Sequence, residues 1–231
     1  MDDTPHTHDF FVFLASTAHD MKNSISLVSG TLEGLIDHDV HNAAYPQMAQ
    51  MLYQTRRLND NLMQLLALYK EVGTPAYPLD IGLADVAQLG EQVAAGNRVL
   101  LGARAITLDV DSPAGLCWHL DEDLVIGVVN HAINNATRYT RDRIRLSLLE
   151  RDGALEIRVE DNGAGFSPAL LAAGAAAGRG RAVDFRANSA GLGLYFAAEV
   201  AKMHTHRGAC GTVRLENGGP LGGGCFVMRL P

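Results

Sequence analysis

Asp161-Asn162-Gly163-Ala164-Gly165, directly behind the alternating run Leu155, Ile157, Val159, is the stretch on which the fold turns. Alternation at period two marks a strand with one buried face, and the glycines behind it mark a turn. Further on stands Gly191-Leu192-Gly193-Leu194. Either stretch alone reads equally well as a strand end or a tight turn. Two other elements make a pattern of them. An Asn-rich helix, Asn134-Asn135-Ala136-Thr137-Arg138-Tyr139-Thr140, lies upstream, and Gly222-Gly223-Gly224-Cys225-Phe226-Val227-Met228-Arg229-Leu230-Pro231 follows.

The residue types in this pattern suit a nucleotide. A carboxylate at a strand end can accept a hydrogen bond from an exocyclic amine. Glycines beside it let backbone approach a flat base. Gly191 and Gly193 are expected to begin a helix, whose free N–H groups, with no side chains in the way, suit phosphate oxygens. The bland alternative for Gly191-Leu192-Gly193 is helix capping.

Composition narrows the classes. The chain has 231 residues, 47% of them hydrophobic, enough for one large domain or two small ones. A net charge of −7 argues against a general nucleic-acid binder. No apolar run is long enough to span a bilayer, so direct membrane insertion is not expected. The acidic start Met1-Asp2-Asp3 does not read as a signal peptide, and a cytoplasmic location is the expectation. Cys117, Cys210 and Cys225 are unclustered and read as small buried hydrophobes in a reducing compartment. The pairs His6/His8 and His204/His206 lack carboxylate or cysteine partners at metal-ligand spacing.

Residues 1–8 form a polar tail. Residues 9–73 read as two helices. Leu14, Ala18, Met21, Ile25, Val28, Leu32 and Leu35 repeat in alternating steps of four and three, an a/d seam. Met48, Met51, Thr55, Leu58, Leu62, Leu65, Tyr69 and Val72 form a second seam, broken only by Thr55. The polar turn Asp37–Asn42 joins them, with Pro46 suited to the second helix's first turn. An antiparallel hairpin with two narrow apolar stripes predicts a homodimer closed as a four-helix bundle. The alternative is that both stripes pack on the rest of the same chain. Residues 74–82, with Pro75, Pro78 and Gly73 beside them, read as a linker.

Residues 83–231 read as an α+β sandwich. Helices are expected over Leu83–Ala95, Asp121–Arg138 and Ala190–His204. Strands are expected at Ile106–Val110, Ile144–Leu148, Leu155–Val159, Val213–Leu215 and Phe226–Leu230. The small, glycine-rich and basic stretch Leu170–Arg181 suits a mobile lid, with Arg179 or Arg181 reaching a γ-phosphate, or a plain flexible loop.

The order of these elements from Leu83 to Pro231 resembles the ATP-binding domain of sensor histidine kinases, in the wider group with gyrase, Hsp90 and MutL. The resemblance implies ATP and Mg²⁺ as cofactors. It implies that Asp161 reads adenine, that Gly163, Gly165 and Gly191-Leu192-Gly193-Leu194 surround the nucleotide, and that Arg138 and Tyr139 reach phosphate and base. Asn135 matches the family's Mg²⁺ ligand. A second Asn one turn earlier is usual, and here that position is His131, with Asn130 one residue out of register. Mg²⁺ prefers oxygen, so His131 either orients a metal-bound water or leaves the site crippled.

The resemblance also implies a phosphoacceptor. His19-Asp20-Met21-Lys22-Asn23 matches the family's His-Asp/Glu-x-x-Thr/Asn box. Ala18 is on the seam, so His19 points off it. Neutral imidazole is a usable nucleophile near pH 7. Asp20 can hold the tautomer or take the proton. In kinases that also dephosphorylate their partner, the Asn23 position is thought to place a water. Ser24 stands where proline is more frequent. The implied function is autophosphorylation of His19 from ATP and transfer to an Asp of a response-regulator receiver domain. One rival is a non-catalytic phosphotransfer or scaffold protein with a degenerate ATP site, which His131 favours. A second is an ATPase of the gyrase–MutL group, but this chain lacks the Glu near position 131 that activates water there.

Overall fold

The computed structural model describes residues 21, 24, 25, 27–32, 34, 35, 47, 48, 50–55, 58, 79–178 and 189–231. The chain divides into two compact units, Met1–Pro78 and Leu79–Pro231.

In the first unit the described residues are helical from 21 to 35 and from 47 to 58. Leu32 and Leu52 are buried, whereas Met21, Val28, Leu35, Met51 and Leu58 are exposed. The expected second seam runs through Met51 and Leu58, yet Leu52 is the residue sealed from solvent. Seam positions on both segments therefore show apolar surface in the single chain. Thr55, the polar residue in that seam, is helical, and its hydroxyl donates to the Met51 carbonyl at 2.8 Å.

The second unit is an α/β sandwich on a mixed five-stranded sheet. In chain order its elements are β1 (Gly82–Asp85), α1 (Val86–Gly102), β2 (Thr107–Asp111), β3 (Cys117–Leu120), α2 (Glu122–Tyr139), β4 (Arg143–Arg151), β5 (Ala154–Asp161), α3 (Pro168–Gly178), α4 (Ser189–Met203), β6 (Thr205–His206), β7 (Ala209–Cys210), β8 (Thr212–Asn217) and β9 (Gly224–Leu230). The main sheet runs β2-β4-β5-β9-β8, with β2 parallel to β4 and the other pairs antiparallel. Short ribbons β1–β3 and β6–β7 stand apart.

Register sorts the sheet into two faces. Ile144, Leu146, Leu148, Leu155, Ile157, Val159, Phe226, Met228 and Leu230 share one face and are buried. The helices pack there; Gly90 of α1, for example, lies against Val110 and Leu148. The other face carries a charge ladder. Glu156, only 1% exposed, pairs with Arg151, Arg158 and Arg214 at 3.2–3.3 Å. Arg158 also reaches Glu160 and Glu216, and Arg214 reaches Glu216. The arginine stems cover the glutamates that their heads neutralise.

Several expectations are corrected. Leu83 lies in a strand, and α1 starts only at Val86, because Asp85 caps it by accepting from the Ala87 and Gln88 N–H groups. The expected lid is helical through Gly178. Its run of alanines, the strongest helix formers, outweighs Gly174. Leu170 and Leu171 bond back to the Ser167 carbonyl at its start. Arg179 and Arg181 lie outside the described residues. Cys117 and Cys210 are exposed, since each two-stranded ribbon has an uncovered face. Cys225 alone is buried, and burial pushes its thiol up to about 12. The β3 strand and the β6–β7 ribbon were not expected; both are too short for a clear period.

Candidate nucleotide site

β5 ends on Asp161, which is buried although β5's neighbours are mostly apolar. Its Oδ1 accepts the Gly163 N–H at 2.7 Å, a two-residue turn closed by the side chain. Its backbone carbonyl accepts the Gly223 N–H at 3.1 Å. Glycines let the chain close around it. A Cβ at Gly223 would lie 2.4 Å from both the carbonyl oxygen and Oδ1 of Asp161, and one at Gly224 would lie 2.9 Å from Oδ2. The carboxylate thus stands in a cradle that side chains would fill.

α2 forms the adjoining wall. Asp121 caps its start by accepting from the Leu124 N–H at 3.0 Å. His204, buried at the end of α4, accepts the Asp121 N–H on Nε2 at 3.0 Å and bonds the Val200 carbonyl through Nδ1 at 2.7 Å. That pattern fixes the neutral tautomer with hydrogen on Nδ1. His206 is exposed in β6. The far end of α2 meets the loop, where a Cβ at Gly163 would fall 2.2 Å from the Tyr139 carbonyl oxygen. Arg138 and Tyr139 are exposed at this end, and Asn135 is half-buried one turn back.

The middle of α2 meets α4. The His131 ring fills the space beside Gly193, where a Cβ would lie 1.7 Å from Nε2. Asn130 faces another way. Its Oδ1 accepts from the buried Asn97 Nδ2 at 2.7 Å, and the same Nδ2 donates to the Val93 carbonyl at 2.8 Å. The out-of-register Asn is therefore a tie between α1 and α2.

The helix expected over Ala190–His204 is found over Ser189–Met203, one residue earlier at each end, so Gly191 is its third residue and Gly193 its fifth. Gly191 and Leu192 fall among the four residues whose N–H groups have no intrahelical acceptor. Gly193 and Leu194 come after them, and Leu194 is buried.

Two asparagines hold the Asp161–Phe166 loop, and sequence reading passed over both as roles. Asn162 Oδ1 lies within 2.8–3.3 Å of the Thr140 hydroxyl and the N–H groups of Arg141, Asp142 and Arg143. Asn217 pairs with both backbone polar groups of Phe166. The Asp-Asn-Gly order signals the side-chain-closed turn at Asp161, but nothing local marks the long-range partners of Asn162 or Asn217.

The structure thus brings Asp161, Gly163 and Tyr139 together at the C-terminal end of α2, and His131 and Gly193 together at its middle. His19, Asp20 and Asn23 lie outside the described residues. Among the described residues no cluster of His, Cys, Asp and Glu is arranged to hold a metal ion, and no helix is long and apolar enough to cross a membrane.

Residues 120–231 match the family model of the histidine kinase-, DNA gyrase B-, and HSP90-like ATPases. Across 95% of its length the chain is 27% identical to the signal transduction histidine-protein kinase AfsQ2 of Streptomyces coelicolor, of which it covers 41%. Across 95% it is 25% identical to the sensor-like histidine kinase SenX3 of Mycolicibacterium smegmatis, of which it covers 56%. The chain spans only about two fifths to just over half of these relatives. The ATP-binding domain of PrrB from Mycobacterium tuberculosis superposes with a TM-score of 0.50 at 26% identity, covering 66% of this chain and 97% of that one. Full-length ShkA in complex with AMPPNP superposes with a TM-score of 0.59 at 21% identity, covering 94% of this chain and 45% of that one, a likeness of fold.

Proposed function

Because this chain is a relative of the sensor histidine kinases and carries their ATP-binding domain over residues 120–231, we propose that it is the core of a two-component histidine protein kinase. ATP donates its γ-phosphoryl group to His19, and the group then passes to an Asp of a response-regulator receiver domain. The observation that carries this reading is the Asp161 carboxylate. It stands in a glycine cradle at the end of α2, with one oxygen held by Gly163 and the other left to accept from an adenine amine.

Each part of the wall has a role in this reading. Gly163 and Gly165 keep backbone close to the base. Arg138 and Tyr139, exposed at the end of α2, reach phosphate and base. The start of α4 offers the N–H groups of Gly191 and Leu192 and a positive helix end to the phosphates, with Gly193 and Leu194 in the turn behind them. The Asn135 carboxamide would hold Mg²⁺ through its oxygen, the donor type that ion prefers, and the ion would supply charge neutralisation to the phosphates. His131 lies one turn away on the same face of α2, with its ring edge packed against Gly193.

At the acceptor, a ring nitrogen of neutral His19 bonds to the γ-phosphorus as the bond to the bridging oxygen breaks and ADP leaves. Asp20 orients the imidazole and takes its proton. In this reading Asn23, at the last position of the His-Asp-x-x-Asn box, directs a water when the phosphoryl group is removed from the regulator. The exposed seam residues of residues 9–73 support a homodimer built as a four-helix bundle, on which the regulator docks. The domain plan is a tail over 1–8, the hairpin over 9–73, a linker over 74–82 and the catalytic domain over 83–231, working in the cytoplasm.

A second reading has one specific observation behind it. The His131 imidazole stands where the family usually has a metal-binding Asn, and its ring is packed on Gly193 rather than held open. A weakly catalytic phosphotransfer or scaffold protein would carry such a site. Incubation with γ-labelled ATP and Mg²⁺ separates the two. Acid-labile, base-stable label on the chain supports the kinase; nucleotide binding without label supports the scaffold.

A further inference from the structure

The hairpin β8–β9 grips the Asp161–Phe166 loop at both ends. At one end the Gly223 N–H, from the turn of the hairpin, donates to the Asp161 carbonyl. At the other, Asn217, the last residue of β8, meets Phe166. Its Oδ1 accepts the Phe166 N–H at 2.7 Å, and its Nδ2 donates to the Phe166 carbonyl at 2.8 Å. One carboxamide thus satisfies both backbone groups of a single residue, as a neighbouring strand would.

The loop is shaped to admit this clasp. Gly165 has a φ of +80°, and a Cβ there would lie 2.8 Å from Asn217 Oδ1. The turn between the two grips is closed on itself by the Gly218 N–H to Gly223 carbonyl bond at 2.9 Å. The Phe166 ring in turn lies beside Gly224, where a Cβ would be 3.0 Å from ring carbon Cε2 and 2.9 Å from Asp161 Oδ2. Moving Phe166 therefore moves the wall next to the Asp161 carboxylate. Asn217 itself is on the surface, so its two bonds serve geometry more than global stability.

We propose that Asn217 is a positioning residue for the nucleotide: by clasping the Phe166 backbone it presets the loop that presents Asp161. This rests on the nucleotide reading above. A preset loop lowers the ordering cost of binding. The clasp's two bonds go to the Phe166 backbone alone, so the expected effect is on binding and not on the phosphoryl step.

The test uses the full chain, with AMP-PNP as the binding probe and labelled ATP for turnover. Asn217→Ala removes both bonds, and Asn217→Asp keeps the acceptor but sets a carboxylate against the Phe166 carbonyl. Both should raise the Kd for AMP-PNP roughly three- to tenfold, the range expected for one or two solvated hydrogen bonds. The KM for ATP should rise in step while kcat at saturating ATP holds, the signature of lost uniform binding. Amide exchange at Phe166 should quicken without nucleotide, and the melting temperature should stay near that of the wild type. Unchanged Kd in both variants overturns the inference, as does a fall in kcat with KM unmoved. Unchanged exchange at Phe166 overturns the clasp itself. Failure of the wild-type chain to bind AMP-PNP instead overturns the nucleotide reading, and the inference with it.

Discussion

The imidazole of His131 occupies the volume that a side chain at position 193 would need, with Nε2 only 1.7 Å from where a Cβ would stand. A bulky residue on α2 and a residue with no side chain on α4 are thus complementary. Glycine at 193 is needed here for packing between two helices, in addition to any closeness to phosphate.

Gly193→Ala should therefore destabilise the chain by about 1–3 kcal/mol in urea unfolding, the cost of overpacking. It should also weaken nucleotide binding, because the start of α4 is pushed away from α2. Adding His131→Ala should recover most of the stability. A double-mutant cycle with no coupling between the two positions would contradict the packing seen here.

Asp161→Asn should lower nucleotide affinity by about 1.5–3 kcal/mol, the worth of a charge-assisted hydrogen bond. The amide oxygen can still take the Gly163 N–H, so the turn survives. The NH₂ group then faces a ligand amine, donor against donor. Calorimetry giving equal affinities for variant and wild type would move the base contact elsewhere.

His19→Gln should abolish self-labelling from ATP and leave AMP-PNP binding unchanged, since His19 belongs to residues 1–78 and Asp161 to residues 79–231. Label at the wild-type level would place the acceptor on another side chain, with His6, His8 and His38 next to examine.

The charge ladder predicts an acid limit. Burial alone would lift the carboxyls of Glu156 and Glu216. The hydrogen bond and charge of Arg214, aided by Arg158 and, for Glu156, by Arg151, more than offset it and hold both below the ordinary 4.5. Folded values below unfolded ones add stability that is complete above the unfolded value and drains away as pH falls through the folded one. Urea titrations from pH 7 downward should show wild-type stability dropping in that acid window. Glu156→Gln should start lower at neutral pH and fall less steeply there; parallel curves would remove Glu156 from the account.

A fragment of residues 79–231 should fold, bind AMP-PNP and run as a monomer, while the full chain runs as a dimer. The second unit has its own sheet and core, and the exposed seam residues Met21, Val28, Leu35, Met51 and Leu58 belong to the first. Light scattering that shows a dimeric fragment would shift the interface into residues 79–231.

What local pattern encodes was legible in the chain. Strand alternation placed β4, β5 and β9, and the turn at Asp152-Gly153 between β4 and β5 takes the left-handed backbone its residues favour. Asp161 drew attention only in company with the other glycine stretches and the Asn-rich helix; what the structure adds is that it ends β5, buried in a glycine-lined turn. The start of α1 was misjudged because Gly82–Asp85 becomes a strand only by pairing with Cys117–Leu120, a partner that no window around Leu83 contains. The helix α3 was missed because glycines and arginines drew more weight than the alanines between them.

The sequence by itself determined the alternation of elements, the glycine turn behind β5 and the identity of the carboxylate it presents, since each depends on residues adjacent in the chain. Only the tertiary structure decided that Asn130 ties α1 to α2, that Gly193 makes room for His131, and that Asn217 and Gly223 close on the two ends of the Asp161 loop. Those relationships join residues up to 62 positions apart, as Asp161 and Gly223 are. A hydrogen bond or a missing Cβ at such separation leaves no periodicity in the chain; it exists only once the sheet has brought its strands side by side.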